Sequence, residues 1–164
     1  MTQPKSKRKK ESAPDKIVGW REWLTIPELG LDFVKAKVDT GARSSALHAF
    51  KIERFERDGH GWVRFKVHPV QRNTKQTVVC EAPIHDERTV RSSAGHEQKR
   101  IVIRPEVELL GERFAIDLTL TNRDAMGFRM LLGREAVRGR FLVDPGRSFL
   151  AGQAPKQHRS PEQD

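Results

Sequence analysis

The sequence predicts a predominantly β domain closed on itself as a barrel, and three observations lead there. Apolar residues alternate with charged ones over residues 33–38, 62–67, 77–80, 100–103 and 114–121, the period of a strand with one face in a core. Turn pairs separate these runs, at Leu29-Gly30, Asp58-Gly59, Ala94-Gly95 and Leu110-Gly111. Helical periodicity is confined to residues 134–138, which follow Gly133 and stop at Gly139.

In chain order, residues 1–16 come first. They carry Lys5, Lys7, Arg8, Lys9, Lys10 and Lys16 against Glu11 and Asp15, and so contribute +4 of the net +9. Such a segment cannot bury enough apolar surface to offset its ordering entropy, and it reads as a disordered basic arm. No apolar stretch follows it, so it does not read as a secretory signal, and no run approaches a membrane span in length. Residues 17–150 form the expected folded domain, and 151–164, rich in Gln, Pro, Lys, His and Ser, read as a loose tail. Cys80 is the only cysteine, which excludes an internal disulfide, fits a reducing, cytoplasmic setting and predicts a small buried side chain.

An internal similarity runs through the domain. Leu29-Gly30-Leu31-Asp32-Phe33 leads into the strand that ends at Asp39-Thr40-Gly41. Leu110-Gly111-Glu112-Arg113-Phe114 leads into another strand and then to Met130-Leu131-Leu132-Gly133. The pattern suggests a duplicated half-domain.

Chemistry concentrates at Lys37-Val38-Asp39-Thr40-Gly41-Ala42. An aspartate leaves an apolar strand, glycine two residues later permits a tight turn, and small neighbours let another backbone approach. Alone, that tripeptide is also what a strand followed by an Asx turn looks like. Its company is the second segment, Leu131-Leu132-Gly133-Arg134, followed by the short helix.

The two segments in this order resemble retropepsin-like aspartic peptidases. In that family the later segment lies beneath the aspartate loop, and two such loops meet in a homodimer. The blocks VDTGARSSALHA (38–49) and LTLTNRDAMGFRMLLGR (118–134), closing on Phe141-Leu142-Val143-Asp144-Pro145, resemble more narrowly a bacterial family labelled ATP-dependent zinc proteases. Members of that family are associated with glutamate-ligase systems acting on a ribosomal protein. The resemblance implies a retropepsin-like closed β-barrel with Asp39 as the catalytic residue. Thr40 would hydrogen-bond across the dimer, Gly41 and Ala42 would lie against the substrate backbone, and trimming of glutamate tails becomes an expected activity.

The zinc of that label is not written in the residues. His96-Glu97-Gln98-Lys99-Arg100 has arginine where a His-Glu-x-x-His helix needs its second histidine, and no phosphate-cradling Gly-x-x-x-x-Gly-Lys loop exists. The expectation is no metal and no cofactor. One Asp-Thr-Gly supplies one carboxylate, whereas this hydrolysis needs two sharing a proton, so the second is expected from Asp39 of another copy. Leu132-Gly133 reads as the place where a single-chain enzyme would carry its other aspartate. Arg43, Arg91 and Arg134 are candidate contacts for an acidic peptide, since guanidinium forks suit carboxylates. A flap over the substrate is expected near residues 58–62 or 88–95. A second functional class also fits the pI of about 10.1: a non-catalytic nucleic-acid or ribosome-binding module, with the basic arm neutralising phosphates. Aromatic content of 7% and the absence of tyrosine leave that reading without a stacking platform.

Overall fold

The structure is a computed structural model and describes residues 15–69, 76–91, 94–122 and 127–152. The basic arm up to residue 14, and the tail from 153, lie outside them. Fourteen strands are present: β1 (Ile17–Val18), β2 (Arg21–Ile26), β3 (Leu31–Asp39), β4 (Ser45–His48), β5 (Phe50–Arg57), β6 (His60–Val67), β7 (Val78–Pro83), β8 (Asp86–Arg91), β9 (Glu97–Ile103), β10 (Glu106–Leu109), β11 (Glu112–Ala115), β12 (Leu118–Thr121), β13 (Met130–Gly133) and β14 (Leu142–Val143). One 3-10 turn, Pro27–Leu29, and one α-helix, α1 (Arg134–Val137), complete the described elements.

Nine strands form one sheet in the order β11-β10-β2-β3-β13-β4-β12-β9-β8, and β5-β6-β7 form a separate three-stranded sheet. The fold is mainly β with a short helix, as expected, but no sheet closes into a barrel. The reason lies at two breaks. The strand expected over 114–121 splits at Ile116-Asp117, opposite Arg104-Pro105 between β9 and β10. Proline has no N–H to donate to a ladder, and of the pairing at this corner only the bond from Ile116 N to Pro105 O, 3.0 Å, is kept. The sheet bends there, and β11 and β8 remain its edges.

The core comes from alternation. Along β3 from residue 33 the buried Val34, Ala36 and Val38 interleave with half-exposed Phe33, Lys35, Lys37 and Asp39, while Leu31, beyond a register shift, is also buried. The duplication is visible in the topology. The hairpin β2–β3 turns at Gly30, the hairpin β10–β11 turns at Leu110-Gly111, and β2 pairs antiparallel with β10. Cys80 is 2% exposed, and burial pushes its thiol up to about 12.

One buried charge holds the chain ends. Glu22 is fully buried, and its carboxylate accepts from Gly19 N (2.7 Å), Leu150 N (2.9 Å) and Ala151 N (2.9 Å). Beside it Trp20 N donates to Arg147 O at 2.9 Å, and a side chain at Gly19 would strike that same carbonyl oxygen at 2.1 Å. At the other margin Lys16 donates to Leu110 O and pairs with Glu112, both at 2.9 Å. Replacing Glu22 with leucine leaves three N–H groups, that of Gly19 buried and those of Leu150 and Ala151 part-buried, without this acceptor. The Glu22→Leu variant is expected to lose about 3 kcal/mol or more, read from its urea unfolding midpoint.

Candidate active site

Asp39 is the last residue of β3, and its loop is closed locally. Ala42 N donates to Asp39 O at 3.2 Å, and Gly41 N donates to the carboxylate oxygen Oδ1 at 3.1 Å. Asp39 and Ala42 are half-buried, while Thr40 and Gly41 are exposed at the loop tip. The carboxylate is therefore oriented from behind and open in front.

The strand that holds this loop comes from far along the chain. β13 lies between β3 and β4, parallel to the first and antiparallel to the second, with Gly133 in register with Asp39. β3 and β4, although joined by the loop, do not pair with each other; both pair with β13. Where β13 passes the loop the backbones touch. A Cβ on Gly133 would stand 2.4 Å from Ser44 O and 2.5 Å from Ser44 C. Gly133 N donates to the buried Ser45 Oγ at 3.0 Å, Arg134 N to Ala42 O at 2.7 Å, and Glu135 N to Arg43 O at 3.0 Å. Arg134 adds its Nη1 to Thr40 O at 3.1 Å.

The expected residues are thus assembled into one unit: Asp39, Thr40, Gly41 and Ala42 against Leu131, Leu132, Gly133 and Arg134. Two of the arginines are occupied by the protein itself. Arg134 braces the loop, and Arg43 pairs with Glu135 at 3.0 Å while staying largely in solvent. Arg91 ends β8, and its side chain lies outside the described residues. Ser45 and Glu135 were not singled out from sequence, although the pair Ser44-Ser45 directly after the loop was a readable signal for a buried hydroxyl. Among the described residues, no three His, Cys, Asp or Glu side chains are placed to hold a metal ion.

The same geometry relates the two halves of the chain. β12 runs parallel to β4 as β3 runs parallel to β13, so an approximate twofold exchanges the two pairs. In that exchange Asp39, which faces Gly133, corresponds to Thr121, which faces His48. The residue that corresponds to Asp39 in the second pair is thus Thr121, which carries a hydroxyl.

A second charged cluster braces the hairpin β8–β9. Arg88 Nη2 meets Asp117 Oδ2 at 3.0 Å, and Arg104 pairs with the other oxygen of that carboxylate. Burial works to raise the Asp117 carboxyl, but the two guanidiniums outweigh it and hold it below its ordinary 3.8.

A mainly β chain with an Asp-Thr-Gly-Ala loop locked by a parallel, glycine-ended strand and a short helix is of the retropepsin-like class. The chain belongs to the RimB-like family, whose model, described as retropepsin-like aspartic endopeptidase RimB, matches residues 17–154. Relatives named probable alpha-L-glutamate ligase are similar over most of the chain. The protein from Desulfotalea psychrophila is 46% identical over 87% of this chain and 31% of its own length. That from Shewanella pealeana is 47% identical over 84% and 30%, and that from Parasynechococcus marenigrum 51% identical over 83% and 29%. The chain thus spans about a third of the length of these curated relatives. A crystal structure of the Legionella pneumophila protein Lpg0085, of unknown function, matches with a TM-score of 0.69 and 28% identity, over 84% of this chain and 98% of that one.

Two outcomes follow from the site. Gly133→Ala forces backbone apart and is expected to cost about 3 kcal/mol, whereas Ser45→Ala, which removes one buried acceptor, costs about 1–2 kcal/mol; urea midpoints rank them. Asp117 contributes stability above its ordinary 3.8 that is lost as the pH falls through its lower folded value. Stability should therefore drop between about pH 5 and about pH 2 more steeply in the wild type than in Asp117→Asn.

Proposed function

We propose that the chain is one half of an aspartic peptidase, active as a homodimer in which two copies of Asp39 face each other across a twofold axis. One carboxylate takes a proton from water as it attacks the peptide carbonyl, and the other gives its proton to the carbonyl oxygen. The observation that carries this reading is the Asp39 loop itself. Its carboxylate is aimed by Gly41 N and the loop is pinned by Arg134, yet its front is open and the pseudo-equivalent position holds Thr121. A site built with this care and furnished with one carboxylate calls for a second copy.

Thr40 and Gly41, exposed at the tip, are the residues such a copy would meet, and Thr40 is proposed to hydrogen-bond across the axis. Ala42, half-buried in the same loop, and Gly41 would border the substrate backbone. Arg43, largely exposed, keeps two guanidinium nitrogens for a substrate carboxylate beside its bond to Glu135. The hairpin β8–β9, which continues the main sheet through β12, is the better candidate for the cover than the turn at Asp58-Gly59, which belongs to the separate sheet. An acidic peptide is the proposed substrate class, with glutamate tails of a ribosomal protein its most specific form. Similarity to proteins named as glutamate ligases supports this direction, because a chain-adding and a chain-cutting activity act on one chemical object.

Hydrolysis of a glutamate-extended peptide, followed over a range of enzyme concentrations, tests the reading. Specific activity is expected to rise with concentration until the dimer saturates, and Asp39→Asn should lower kcat about a thousandfold. Hydrolysis untouched by that substitution would remove Asp39 from the mechanism.

A further inference from the structure

The face of β3 that carries Asp39 also carries Phe33, Lys35 and Lys37, because the strand alternates without a break. Lys35 is occupied, with its ammonium 5.6 Å from the centre of the Phe128 ring and 5.9 Å from that of Trp23. Lys37 is different. It is half-buried, and among the described residues it makes no hydrogen bond, ion pair or ring contact. Its neighbours across the sheet are Arg21 on β2 and Leu131 on β13, and register partners point to the same face. Arg21 is engaged: Nε donates to Ser148 Oγ at 3.1 Å, and the guanidinium lies 4.7 Å from the Trp20 ring centre and 4.8 Å from that of Phe149. Leu131 offers an apolar flank.

The Lys37 stem is flanked by Leu131, and among the described residues no carboxylate pairs with its ammonium, which leaves that charge available to an acidic ligand. Two strand positions separate Lys37 from Asp39, about 7 Å along β3. That is the reach from a scissile bond to the carboxylate of a flanking acidic side chain.

We propose that Lys37 selects an acidic side chain next to the bond that is cut. This inference rests on the dimeric reading, and it deepens it: a twofold places one Lys37 on each side of the axis, so both flanking residues are read. The preferred bond joins two acidic residues, as in the interior of a glutamate run and not at its junction with ordinary sequence.

The test separates binding from cutting. Labelled hexaglutamate and hexaglutamine are bound to the full-length Asp39→Asn protein, with and without Lys37→Gln, at one ionic strength. A third protein, Asp39→Asn with Lys66→Gln, removes the same charge from the three-stranded sheet. Lys37→Gln is expected to weaken hexaglutamate binding about tenfold and to leave hexaglutamine unchanged, while Lys66→Gln does neither. Equal affinities with and without Lys37, or no preference for glutamate at the start, would overturn the proposal. In the wild type, peptides with a single central Glu-Glu, Glu-Gln, Gln-Glu or Gln-Gln bond should fall in kcat/KM about tenfold per replacement on either side. Loss on one side alone would overturn the symmetric part. Binding that depends on Lys37 without any Asp39-dependent hydrolysis would uphold the acidic subsite and contradict only the peptidase reading.

Discussion

The passage of β13 between β3 and β4 is the constraint on which the rest of the molecule depends. Two strands joined by a five-residue loop would ordinarily pair as a hairpin and carry the loop at a mobile tip. Here a third strand separates them, and the loop must span it. Its position is then set by contacts with backbone some ninety residues further on: Gly133 against Ser44, Arg134 N on Ala42 O, Glu135 N on Arg43 O. Glycine at 133 is the steric condition for that passage, and the buried Ser45 hydroxyl satisfies the donor it leaves. Such a frame fixes the loop that carries the Asp39 carboxylate, and fixed geometry is what a catalytic group would require.

The same frame underlies the proposal that the chain is half a site. Its two similar halves interlock, so each contributes a strand beside the other's loop strand, but only the first half ends in aspartate. Thr121 occupies the corresponding place in the second. In the proposed dimer, symmetry between chains would supply what symmetry within the chain does not, and would also duplicate every side chain on the Asp39 face, Lys37 included.

Much of this was legible in the residues. Asp39-Thr40-Gly41-Ala42 and Leu131-Leu132-Gly133-Arg134 are local patterns with local causes, a tight turn and a close backbone approach, and the structure brings them together. The alternation of β3 and β6 was equally plain, since each has one face in the core, whereas in β9 the consecutive Ile101, Val102 and Ile103 are all buried. What escaped depends on distant partners. Glu22 reads as a surface residue in Arg-Glu-Trp, and only the return of residues 150–151 turns it into a buried acceptor. β4 is four residues long and its pattern is too short to see. Closure as a barrel was expected from the run of strands and from the family resemblance, and the break at Ile116-Asp117 facing Pro105 is a tertiary event. Lys37 was in view as part of the motif, but its lack of a counter-charge among the described residues is a property of the folded face.

Subunit mixing tests the central claim, that one site is built from two chains, most directly. A fixed amount of wild type is titrated with Asp39→Asn protein under conditions that allow the copies to exchange, and peptide hydrolysis is followed. If each site needs both aspartates, mixed dimers are inactive, and activity per total protein falls as the square of the wild-type fraction. A fall in simple proportion to that fraction would mean that each chain works alone, and would contradict the account.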